Sequence, residues 1–127
     1  MNNYKNETMN IVTHEQGAIK IAEVISDGIL IGNVEDGLQL MGDLYYQGYD
    51  KIIIYETNLT PDFFDLKTRL AGEVLQKFSN YRVQLVIIGE FSKYPGKSIR
   101  DFIYESNKGK IVNFLPTIAV AKDKLFC

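Results

Sequence analysis

Two runs constrain the fold more than anything else in the sequence: KIIIY at 51–55 and RVQLVIIG at 82–89. Apolar residues in them are consecutive rather than alternate. A strand with one wet face alternates, whereas a strand covered on both faces, as in a parallel sheet between helices, does not. Between the runs, Phe63, Leu66, Leu70, Val74 and Phe78 recur at helical spacing, widened by Phe64, Ala71 and Leu75. Thr60-Pro61-Asp62 reads as the start of this long helix, with an N-cap, a proline at the first helical position and an acid in the first turn. Asn80 closes it. A strand, a helix and a second strand imply a right-handed crossover between parallel neighbours.

The rest of the chain extends the pattern. MNIVTHE (9–15) and AIKIAEVI (18–25) alternate on either side of Gly17 and predict a β-hairpin. SDG (26–28) is a turn and ILI (29–31) a short extended piece. Asn33 and Asp36 form a cap pair ahead of Val34, Leu38, Met41 and Tyr45, and Gly48 ends that helix. Ser98 and Asp101 form a second cap pair, with Ile99, Phe102 and Ile103 facing inward and Gly109 as the stop. IVNFL (111–115) is a last strand, and residues 117–126 form a terminal helix or an edge strand. The predicted order is β-β-α-β-α-β-α-β-α. It describes a single α/β domain over 9–127: a mixed, largely parallel sheet with an antiparallel N-terminal hairpin edge and flanking helices. Residues 1–8 are polar and are expected to be disordered.

Several functions are disfavoured by content. A net charge of −2 gives no electrostatic drive toward nucleic acid or acidic membranes. No apolar run approaches the roughly 20 residues of a membrane span, and the polar MNNYKNETMN lacks the apolar stretch of a secretion signal. The expected location is the cytoplasm. Cys127 is the only cysteine and His14 the only histidine. No disulfide within the chain and no four-ligand Cys/His metal site can be assembled from them, and no metal or cofactor is expected. A histidine-based nucleophile machine would have to use His14.

The stretch GEFSKYPGKS (89–98) resembles a phosphate-binding loop but fails its spacing. G-x-x-x-x-G-K-[ST] requires glycine where Phe91 stands. Pro95-Gly96 fits a type II turn with glycine at positive φ, and Ser98 fits a helix cap. A weaker anion site remains at that helix start, formed by Ser92, Lys93, Lys97, Ser98 and Arg100. Ligands of parallel α/β sheets bind beyond the carboxyl ends of the strands, where loops 56–62 and 89–97 meet. Glu56 and Glu90 lie at two strand ends, and Asp62 and Asp65 follow. They read as solvated carboxylates, with Asp62 and Asp65 complementing the helix dipole, in preference to a pair for acid–base work or for holding Mg²⁺. Phe63 and Phe64 are adjacent helix positions, so one is expected to stay partly exposed. Glu56, Thr60, Asp62, Phe63, Phe64, Asp65 and Glu90 together form a candidate surface for a protein partner or a second copy of the chain. Tyr45, Tyr46 and Tyr49 cluster at one helix end as a further contact surface or as half-buried packing residues.

Two resemblances bear on function. DFFDLKTRLAGEVLQKFSNYRVQL followed by GEFSKYPGKSIRDFIYESNKG resembles a bacterial domain-of-unknown-function family, number four-one-eight-zero, over most of residues 18–115. That family carries no established activity. More loosely, the element order, with DGIL before the first helix, KIIIYETNLTPDFFD in the middle and RVQLVIIG after it, is similar to the STAS domains of anti-sigma factor antagonists. The resemblance implies a small non-enzymatic module that binds a partner through the loop and helix start after the middle strand, switched by phosphorylation of a serine there. This segment has no serine, and Thr60 is its nearest hydroxyl. The expected function is a non-catalytic STAS-like regulatory or protein-binding module. The alternatives are an anion- or small-molecule-binding domain using residues 89–100, or a small carboxylate-based enzyme.

Overall fold

The computed structural model describes residues 9–127, so the expectation for residues 1–8 lies outside the described residues. Strands β1 (Met9–Gln16) and β2 (Ile19–Ser26) form the hairpin, and β3 (Lys51–Tyr55), β4 (Gln84–Ile88) and β5 (Val112–Leu115) follow. The sheet order is β1-β2-β3-β4-β5, with β1 and β2 antiparallel and all later pairs parallel. Helices α1 (Val34–Tyr46), α2 (Leu70–Tyr81) and α3 (Lys97–Lys108) are the three crossovers, and α4 (Ile118–Phe126) ends the chain. Residues 117–126 thus resolve as a helix, capped by Thr117, whose side chain accepts from the Val120 amide.

Each crossover steps one strand in the same direction with the same hand, so α1, α2 and α3 lie on one face. Leu40, Leu44, Val74, Phe78 and Ile99 from these helices pack on Ala22, Val24, Ile52, Ile54, Leu85, Ile87 and Phe114. Strand side chains alternate, so the intervening residues Ile21, Ile53, Val86 and Ile88 point to the other face, where Ala121 and Leu125 of α4 cover them. This double cover is why KIIIY and QLVII show no alternation.

Caps define where the helices begin. Asn33 accepts from the Asp36 amide, as its spacing predicts, but the Asp36 carboxylate turns to the Gly32 amide rather than completing the box at Asn33. Gly48 adopts φ +97 after α1, the left-handed geometry that favours glycine. Gly37 lets α1 approach α2, since a Cβ there would lie 3.6 Å from Val74 Cγ2. Two expectations at α3 fail. Gly96 has φ −70, so there is no type II turn, and Gly96 rather than Ser98 is the N-cap residue. Ser98 makes no capping bond, because it already lies inside the first turn.

Candidate functional site

The carboxyl ends of β3 and β4 each continue into a loop, and the first is 56–69. The predicted long helix from Thr60 does not form there. Pro61–Phe64 and Leu66–Thr68 are separate 3₁₀ turns, and α2 begins only at Leu70. Local side-chain bonds win against the helix ladder. Asp65 accepts from the Lys67 amide, and the Thr68 hydroxyl donates to the Asp62 and Asp65 carbonyls. Arg69 then takes φ +67. Thr60 makes no side-chain cap bond. The break also overturns the expectation that one of Phe63 and Phe64 is exposed. Both are buried, at 0% and 8%. Off a regular helix they are free to find different neighbours. Phe63 meets Phe114, while Phe64 stacks on Tyr94 with ring centroids 4.3 Å apart. Phe91 joins them edge-on to Phe114. Aromatic side chains therefore fill the end of the sheet between the loops.

Asn58, which the sequence reading passed over, fixes the first loop. It is 1% exposed. Its side-chain amide donates to the Ser26 and Gly28 carbonyls, its side-chain oxygen accepts from the Tyr55 amide, and its carbonyl accepts from Leu30 and Ile31. The loop before α1 is thereby tied to the end of β3. The only sequence signal was an asparagine between Thr57 and Leu59, which does not distinguish a buried strut from a solvated turn.

Glu56 joins the first loop to the second. Its carboxylate accepts from the Tyr94 hydroxyl and the Glu90 amide, and the Lys93 ammonium lies 2.7 Å away. Only 11% of its side chain is exposed, so it is not the solvated strand end its position suggested. Burial alone would raise its pKa. The bonds from Lys93, Tyr94 and the Glu90 amide outweigh that and hold the carboxyl below its ordinary range. Tyr94 is correspondingly pushed up, first by burial and then by Glu56. Gly89 is the third part of this clamp. A Cβ there would fall 2.6 Å from both Glu56 Cβ and Oε1. The first glycine of the apparent phosphate loop is thus explained by the close approach of a carboxylate.

The remaining predicted site residues divide. Glu90, Asp62 and Asp65 are exposed, and Thr60 is half-buried. Of the candidate anion ligands, Ser92 and Ser98 are exposed. Lys93 is held by Glu56, Lys97 pairs with Asp101 at 2.7 Å, and Arg100 donates to the Pro95 carbonyl. These three cations point at partners within the chain rather than at a common centre. Between the loops, Phe64, Leu66, Tyr94 and Pro95 floor an open groove of about 360 Å³, edged by Asp65 and Lys67. Tyr49 is buried whereas Tyr45 and Tyr46 are exposed, so the tyrosine cluster splits between packing and surface.

On the α4 face lies a second polar group. Glu23 is buried, accepts from the Tyr55 hydroxyl, and has His14 Nε2 2.8 Å from its other oxygen. Burial, then Glu23, pushes the Tyr55 phenol up to about 12. A signal for this was present: Glu23 shares its parity with Ile19, Ile21 and Ile25, so an acid stands in an apolar row. Among the described residues no group of His, Cys, Asp and Glu is arranged to hold a metal ion.

The sequence from residue 16 to 125 matches the family model described as Domain of unknown function (DUF4180). The chain belongs to this family. No curated protein is a significant match. Among solved structures, this DUF4180 chain is similar to a Thermotoga maritima protein provisionally described as an anti-sigma factor antagonist, at a TM-score of 0.45 and 13% identity, covering 92% of this chain and 95% of that one. Among the described residues, no helix is long and apolar enough to cross a membrane.

Proposed function

We propose that this DUF4180 chain is a non-catalytic, STAS-like regulatory or protein-binding module of the cytoplasm, and that it meets its partner with the surface formed by loops 56–69 and 89–97. One observation carries this reading. The strand end is filled by Phe63, Phe64, Phe91 and Tyr94, and Glu56, the most buried acid there, is spent on joining the loops. Small-molecule sites are concave, with convergent polar groups, whereas here Asp65 and Lys67 edge an open groove and Asp62 and Glu90 are exposed elsewhere on the same two loops. Such a mixed-charge rim over an apolar floor suits a protein surface, where charge sets specificity and encounter rate. A carboxylate enzyme would need Glu56 free, and an anion site would need Lys93, Lys97 and Arg100 to release their present partners. The test is affinity capture from the native host with wild-type bait and with Asp62→Lys plus Asp65→Lys. The expected result is a discrete protein retained by wild type and lost by the variant. An identical catch from both would refute the surface.

A further inference from the structure

The two edges of the sheet are treated differently. On β5, the odd residues face β4: Ile111 and Leu115 accept from Leu85 and Gly89. Val112 and Phe114 therefore present their backbone groups outward. Side chains from α3 cover three of these four groups. The Asn107 carboxamide donates to the Phe114 carbonyl and accepts from the Phe114 amide, and the Ser106 hydroxyl donates to the Val112 carbonyl. A single asparagine thus imitates a neighbouring strand and seals that edge. On β1 nothing comparable occurs. Among the described residues, no backbone or side-chain group bonds to its outer edge. Gly17, with φ +61, makes the two-residue turn between Gln16 and Ile19, which are therefore a hydrogen-bonded pair. Alternation then aims the amides and carbonyls of Met9, Ile11, Thr13 and Glu15 away from β2. The strand also lacks lysine and proline, with which exposed edges are commonly blunted.

We propose that the outer edge of β1 pairs antiparallel with β1 of a second copy, making one continuous sheet through a two-fold axis at Val12. The backbone sets the parity of the register, and the side chains choose within it. Outward groups must meet outward groups, so odd residues pair with odd residues. With the axis at Val12, Ile11 pairs with Thr13 of the second copy and Met9 with Glu15, while Asn10 lies opposite His14 and Val12 opposite itself. No like charges are opposed, and Val12, 43% exposed in the single chain, gains an apolar neighbour. This surface lies on the hairpin edge and is independent of the partner surface at the strand ends.

Sedimentation equilibrium of the full chain tests the pairing. Wild type is expected to be a reversible dimer. Val12→Lys sets two ammonium groups side by side on the axis and is expected to sediment as a monomer with an unchanged circular dichroism spectrum. Thr13→Pro, which removes an outward amide, is expected to do the same. A Val12→Cys chain in a Cys127→Ser background is expected to form a covalent dimer on oxidation, because facing residues of a non-hydrogen-bonded pair have Cα atoms only about 4.5 Å apart. A wild type that stays monomeric at every soluble concentration would overturn the proposal. So would a dimer that survives both edge substitutions, or one whose Val12→Cys form does not cross-link.

Discussion

At the scale of single residues, two glycines make opposite predictions from the same chemistry. Gly42 lies within α1, and a Cβ there would meet no atom within 4 Å. Gly42→Ala therefore gains helix propensity and should stabilise the chain by about 0.5–1 kcal/mol. Gly89→Ala drives a methyl into Glu56 and should cost about 1–3 kcal/mol. Urea melts of the two variants read both signs. Glu56 also gives a pH dependence. Its folded pKa is depressed, so the stability it contributes is fully present above the unfolded value of about 4.3 and is lost as pH falls through the folded value. The stability advantage of wild type over Glu56→Gln should accordingly shrink as the pH is lowered from 7 to below 4. A gap constant across that range would show that the carboxylate is not held ionised by Lys93, Tyr94 and the Glu90 amide.

At the scale of elements, capping separates what the sequence could disclose from what it could not. Asn33 and Thr117 both accept an amide bond at a helix start, and Thr60 and Ser98 accept none. Asn33→Ala and Thr117→Ala should each cost about 1 kcal/mol, and Thr60→Ala and Ser98→Ala should stay within about 0.5 kcal/mol. Comparable losses at all four positions would contradict these boundaries. The strands, the hairpin and α1 were legible because burial on one or both faces imposes a period on many residues at once. The segment 60–69 was not, because its apolar stripe continues at helical spacing while Asp65, Thr68 and Arg69 redirect the backbone by short-range bonds that leave no period. The same holds for the site. Its location followed from parallel strands, but the Glu56 clamp joins residues 34 to 38 positions apart through a carboxylate, and residue type alone does not distinguish that from a solvated acid. Phe63 and Phe64 failed for the same reason, since their exposure was reasoned from a helix that is absent.

At the scale of the whole molecule, the described residues place three helices on one face and one on the other, and two of the places left for contact are the carboxyl end of the sheet, closed by aromatics beneath a charged rim, and the β1 edge, to which no described group bonds. The first of these is the surface we propose for a protein partner. The most direct measurement is site-specific photocross-linking in the native host, with a benzophenone amino acid at Asp65 or Lys67 on the rim and at Val120, an exposed residue of α4, as the control. A discrete protein adduct is expected from both rim positions, absent from Val120 and lost when Asp62→Lys is added. Rim positions that yield no protein adduct, or the same adduct from Val120 as from the rim, would contradict it.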